Sequence, residues 1–190
     1  MIGDSLTEGK VLESDRIPIQ LEFALKAKGQ SVSVINAGVG GDSAAKGVAR
    51  LDRVVTDNTD AVILALGWWD MDRGIDPNTT RASLAAALDK LKAQGIAALL
   101  CGVRAHTNFG ADHEKAFAVM FEGLAREYNV LFVPALNEAV FDIAQLNAVD
   151  GLHPNAAGNK AIVTQMLPTV EALVNQALRR DRDPTSSPTR

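Results

Sequence analysis

Short runs that are apolar at nearly every position alternate along this chain with stretches in which apolar residues recur every three or four positions. The runs SVSVINAG (31–38), AVILALG (61–67), AALLCGV (97–103) and VLFVPAL (130–136) predict strands. Their unbroken hydrophobicity suits a parallel sheet covered on both faces. Between them IPIQLEFALKAKG (17–29), DSAAKGVARLDRVV (42–55), TTRASLAAALDKLKAQG (79–95) and DHEKAFAVMFEGLAREY (112–128) predict helices, the first with Pro18 near its start and Gly29 at its stop. A last helix is predicted over 155–180, with Pro168 expected to kink or break it. Strand–helix alternation of this kind implies a three-layer α/β/α sandwich with right-handed crossovers. With no internal repeat or linker, residues 1–178 read as a single domain, and the polar, proline-containing RRDRDPTSSPTR (179–190) is expected to be a disordered tail.

Composition narrows the functions this architecture could carry. A net charge of -4 over 190 residues provides no basic field, which argues against nucleic acid as a partner. The longest apolar runs, AVILALGWW and IAALLCGV, fall well short of the roughly 18 residues that a membrane span needs. The lone cysteine, Cys101, excludes an internal disulfide and a Cys-rich metal site, and its apolar neighbours read it as a buried structural thiol. No secretion signal precedes residue 3, so the chain as given reads as cytoplasmic. A periplasmic or secreted location follows if a leader has been lost upstream.

In an open parallel sheet the working groups gather at the carboxyl ends of the strands. The polar, glycine-rich segments there are GDSLTEG (3–9), NAGVGGDS (36–43), GWWDMDRG (67–74), RAHTNFG (104–110), LNEAVF (136–141) and AVDGLHPN (148–155). A serine hydroxyl is a weak nucleophile at neutral pH and needs a base within reach, itself oriented by a third group. Ser5 sits in the first segment, and His153 stands three residues after Asp150 in the last. An aspartate at that spacing can bond the imidazole and leave its other nitrogen for Ser5. The plainer reading is an Asp helix cap followed by a surface histidine. His106 reads as a candidate pocket residue and His113 as a solvated one in a first helical turn. With Asp70, Asp72 and Asp76 near, a metal site could be imagined, but no HxxxH or HxH spacing supports one, and no metal is expected. Gly38-Val39-Gly40-Gly41 can expose backbone N–H groups to a developing oxyanion. A dinucleotide site is disfavoured because Ser43 stands at the third glycine of GxGxxG, and no Walker A motif is present.

These segments resemble the GDSL, or SGNH, hydrolases, and within them the small bacterial arylesterase and thioesterase I/lysophospholipase group. GDSLTEG is similar to the block carrying the nucleophile, NAGVGGDSAAKGVARL to the second block, and DGLHPNAAG to the last, in order from residue 3 to about residue 175. The resemblance implies a flavodoxin-like SGNH hydrolase fold, a triad of Ser5, Asp150 and His153, and an oxyanion hole built from the N–H groups of Ser5 and Gly41. It also implies an asparagine in a third block, Gly-x-Asn-Asp. This chain reads Gly67-Trp68-Trp69-Asp70, so Trp69 stands where the third oxyanion donor is expected. Losing one such donor costs on the order of 10²–10³ in kcat. One of Trp68 and Trp69 is expected to wall the acyl or aryl pocket.

A second departure lies at the start. The family's first strand is central, in the order 2-1-3-4-5, and here only Met1 and Ile2 precede the Gly-Asp-Ser-Leu turn, so that strand reads as truncated. The expected function is serine ester hydrolysis through an acyl-enzyme on Ser5, with short- to medium-chain acyl or aryl esters, thioesters as a further class, and no cofactor. The competing expectation is a catalytically weakened protein that binds ester-like or aromatic ligands, with Trp69 as its motive. Oligomeric state is not readable from the sequence.

Overall fold

The computed structural model describes residues 1–105 and 108–181. Five strands, β1 (Ile2–Gly3), β2 (Ala37–Gly38), β3 (Ala61–Ala65), β4 (Ala97–Cys101) and β5 (Leu131–Val133), form one parallel sheet in the order β2-β1-β3-β4-β5. β3 and β4 are apolar and buried almost throughout, because helices cover both faces of the sheet.

The helices are α1 (Ser5–Glu8), α2 (Ile17–Ala27), α3 (Ala44–Ala49), α4 (Leu51–Val54), α5 (Trp68–Asp72), α6 (Pro77–Ala93), α7 (Ala111–Tyr128) and α8 (Ala156–Asp181). One layer is α2 against α8, with α8 lying on β3, β4 and β5. The other runs from α3 through α6 to α7, with α6 and α7 on β4. Local chemistry sets several ends. Asp76 caps α6 by accepting from the Asn78 N–H at 2.7 Å, and Pro77 opens its first turn. Asn129 closes α7 in the left-handed region. The core between the layers includes Phe117, Phe121, Leu64, Leu84 and Ile162, all fully buried.

Three expectations need correction, while the first strand is as short as expected and pairs on both sides: Ile2 and Gly3 with Ala37 and Gly38 and with Leu64 and Ala65. Flanking bonds extend the grip, from the Ala37 N–H to Met1 O and from the Val39 N–H to Gly3 O. The strand expected over 31–38 contracts to Ala37–Gly38, since regular pairing on β1 ends at Ile2. The helix expected over 42–55 is divided at Arg50 into α3 and α4. Pro168 lies inside α8 without breaking it. The proline removes one backbone donor, while Ile162, Val163, Met166, Val170 and Leu173 hold the helix on the core at either side. α8 ends at Asp181, one residue past the expected end of the helix, and residues 182–190 lie outside the described residues.

Candidate active site

Gly3 ends β1, and the chain turns at once into α1. The turn is tight: a Cβ on Gly3 would lie 2.0 Å from the Thr7 hydroxyl, and one on Gly38 would lie 2.1 Å from the Glu8 backbone nitrogen. Glycine at both positions lets α1 lie directly on β1 and β2. Asp4 caps the helix through the Leu6 N–H at 3.0 Å. Ser5 is therefore the first helical residue, and its N–H has no acceptor within the helix.

The loop before α8 brings the partners. Asp150 Oδ1 accepts from the backbone N–H groups of Leu152 and His153, both at 3.0 Å, which folds the loop around its own carboxylate. Asp150 Oδ2 lies 2.7 Å from His153 Nδ1, and His153 Nε2 lies 2.9 Å from Ser5 Oγ. With Nδ1–H donating to the carboxylate, Nε2 is left to accept from the serine hydroxyl. Burial pushes the Asp150 carboxyl up, but the two N–H groups and the imidazole outweigh it and bring it down to about 2. His153 is buried at 8% exposure, although it lies next to the exposed Leu152. A hydroxyl, an imidazole and an ionised carboxylate in this sequence can activate an oxygen nucleophile and return its proton.

Gly41 follows β2 at the third position of the turn Val39–Asp42, with φ +79°. The turn's own bond uses the Asp42 N–H at 3.2 Å and not that of Gly41. A Cβ on Gly40 would lie 3.8 Å from Ser5 Cβ, so this turn flanks the serine.

Trp68 and Trp69 open α5 after β3. Trp68 is buried and lines a small cleft together with Ala105, Val140, Phe141, Gly151 and Leu152. Trp69 is partly buried, with the Arg73 guanidinium 4.4 Å from its ring centroid. His106 lies outside the described residues. His113 corrects the expectation of a solvated side chain: its Nε2 is 3.1 Å from Met71 O, and its ring sits 5.3 Å from that of Phe109 and 5.0 Å from that of Phe117. Among the described residues there is no cluster of His, Cys, Asp or Glu able to hold a metal ion. Cys101 is buried in β4, and that burial pushes its thiol up to about 12.

The structure adds supports that the sequence reading passed over. Asn137 accepts from the Arg104 N–H at 2.9 Å and donates to Arg104 O at 2.8 Å, locking together the loops after β4 and β5. The Arg104 guanidinium donates to Glu138 and lies 3.9 Å from the Phe141 ring centroid. Asp70 accepts from the Ala44 N–H at 2.8 Å and from the Thr80 hydroxyl at 3.2 Å. Arg50 bridges Asp42, at 2.7 Å, and Gly3 O, at 3.0 Å. Each involves a polar residue in a strand-end segment, which is the only sequence signal they carry.

The thioesterase 1/protease 1/lysophospholipase L1 of Escherichia coli (strain K12) is 32% identical over 177 residues, covering 92% of this chain and 84% of that protein. The arylesterase of Vibrio mimicus is 31% identical over 156 residues, covering 81% and 78%. The crystal structure of TesA superimposes with a TM-score of 0.85 at 28% identity, covering 90% of this chain and 96% of that one. Residues 1–161 match the model of the GDSL-like lipase/acylhydrolase family, and the chain belongs to that family.

Proposed function

We propose that this carboxylic ester hydrolase works through an acyl-enzyme on Ser5. The observation that carries the reading is the continuous chain from Ser5 Oγ through His153 to Asp150, at 2.9 and 2.7 Å. Ser5 Oγ attacks the acyl carbonyl as its proton passes to His153 Nε2. Asp150 holds the ring and offsets the imidazolium charge. The tetrahedral oxyanion is taken by the N–H groups of Ser5 and Gly41. His153 then returns the proton to the leaving alcohol or thiol, and water repeats the sequence to release the acid. Trp68 walls the acyl or aryl side of the cleft. Trp69, whose ring lies against the Arg73 guanidinium, is not counted as a third donor in this reading. Short- to medium-chain acyl esters, aryl esters and thioesters are the substrate classes proposed, in keeping with the names of the relatives. Because those relatives are named as enzymes, catalysis is preferred over a binding-only role.

Turnover of p-nitrophenyl esters by the unaltered protein, Ser5→Ala and Trp69→Asn tests this. Ser5→Ala is expected to lower kcat on the order of 10⁶-fold. Equal turnover in the unaltered protein and Ser5→Ala would end the hydrolase mechanism. Trp69→Asn restores a carboxamide donor and is expected to raise kcat, with on the order of 10²-fold as the scale of one donor.

A further inference from the structure

Beneath the nucleophile lie three carboxyl groups that take no part in the chain of Ser5, His153 and Asp150. Asp4, Asp42 and Asp70 come from the segments that carry Ser5, Gly41 and Trp69, and they are 1%, 8% and 2% exposed. Two are answered by donors. Arg50 meets Asp42, and Ala44 with Thr80 meets Asp70. Asp4 differs. Its Oδ1 accepts from the Leu6 N–H, one residue past Ser5, while its Oδ2 has no hydrogen-bond partner among the described residues. Ionised there, it would be a desolvated charge with one oxygen unanswered. The cation of this group, Arg50, is committed to Asp42 and to Gly3 O.

We propose that Asp4 is a positioning residue for Ser5 that works as an uncharged acid. Oδ1 holds the nucleophile turn, and the lack of charge keeps a second negative group from beneath the oxyanion. This rests on the acyl-enzyme mechanism above. The charged groups acting on Asp4 are Asp70 from α5 and Asp42 from the turn after β2, with Arg50 held on Asp42 and Gly3 O, and His153 on the neighbouring Ser5. Burial, with a smaller push from Asp70 and Asp42, raises the carboxyl from its ordinary 3.8 to about 7. Between about pH 4 and pH 7 the folded protein thus keeps a proton that the unfolded chain has lost, and stability from this group falls as pH rises through that window. Asparagine at this position caps equally well and carries no charge.

The test compares the unaltered protein, Asp4→Asn and Asp4→Ala by thermal unfolding and by ester turnover at about pH 5 and about pH 8.5, on either side of most of that window. The stability advantage of Asp4→Asn over the unaltered protein is expected to grow by several degrees from the lower to the higher pH. Its kcat relative to the unaltered protein is expected to rise at least ~5-fold over the same range. Asp4→Ala is expected to lower kcat by about 10-fold or more with KM little changed, and asparagine to recover much of that loss. An Asp4→Asn difference in Tm that does not change with pH would overturn the uncharged state. Undiminished kcat in Asp4→Ala would overturn the positioning role. If Asp4→Ala does not fold, the kcat ratio of Asp4→Asn decides, and a ratio unchanged with pH overturns the proposal. The Tm comparison needs no turnover, so its result stands apart from the Ser5→Ala test of the mechanism.

Discussion

Asp150 accepts from two backbone N–H groups and from the His153 ring while 41% of its side chain stays accessible. Its carboxyl, held near 2, lies below the ordinary value of 3.8. The sign of the linkage follows. Stability from this group is present above about pH 4 and is lost as pH falls toward 2. Asp150→Asn is expected to flatten that acid limb, so thermal midpoints measured from about pH 5 down to about pH 2 should fall less steeply than in the unaltered protein. Equal slopes would sink the idea. The same change should lower kcat by about 10⁴-fold by admitting the wrong imidazole tautomer. Ser5, Asp150 and His153 were legible in the sequence because few residue types can perform their chemistry and because Asp150 and His153 share one short loop. The bond of His113 to Met71 O was not. Phe109 and Phe117 lie four residues to either side of it along the chain, but which carbonyl α7 meets in space is encoded by no local pattern.

At the scale of elements, the nucleophile turn is held by close approach. A Cβ on Gly38 would meet Glu8 backbone, which cannot rotate aside, so α1 would have to shift and carry Ser5 with it. Gly38→Ala is expected to lose about 1–3 kcal/mol in urea unfolding and to lower kcat. Gly29→Ala, with open space around it and φ +79°, should show only backbone strain of about 1–2 kcal/mol and unchanged turnover. Hydrophobic periodicity located α2, α6, α7 and α8 to within a few residues, since each presents one apolar face to the core. It overstated the strand at 31–38, because an extended run becomes a strand only where a neighbour offers backbone groups. It misjudged Pro168 for the opposite reason: packing along both halves of α8 outweighed one missing donor.

For the molecule as a whole, the order β2-β1-β3-β4-β5 gathers five strand ends and the loop before α8 on one face. Alternating strands and helices were enough to anticipate a parallel three-layer architecture. They did not show how the core reaches the site. Phe121 does so from α7. Its ring would lie 2.8 Å from a Cβ on Gly67, which leads into Trp68, and 3.5 Å from one on Gly102, after β4. Phe121→Ala is expected to destabilise the fold by about 3–5 kcal/mol in denaturant unfolding, and to raise KM because two loops above it lose their floor.

The reciprocal amide bonds between Asn137 and Arg104 have a mechanical meaning for the cleft. They join the segments after β4 and β5 into one plate, stiffened by the guanidinium lying on Phe141. Trp68 stands at the same cleft on a helix set into the core. Gly151 and Leu152 form another side of the cleft, and they belong to the loop that carries Asp150 and His153. On the proposed mechanism, an acyl group would be gauged much as by a caliper with one fixed jaw, by what fits between a set face and that loop.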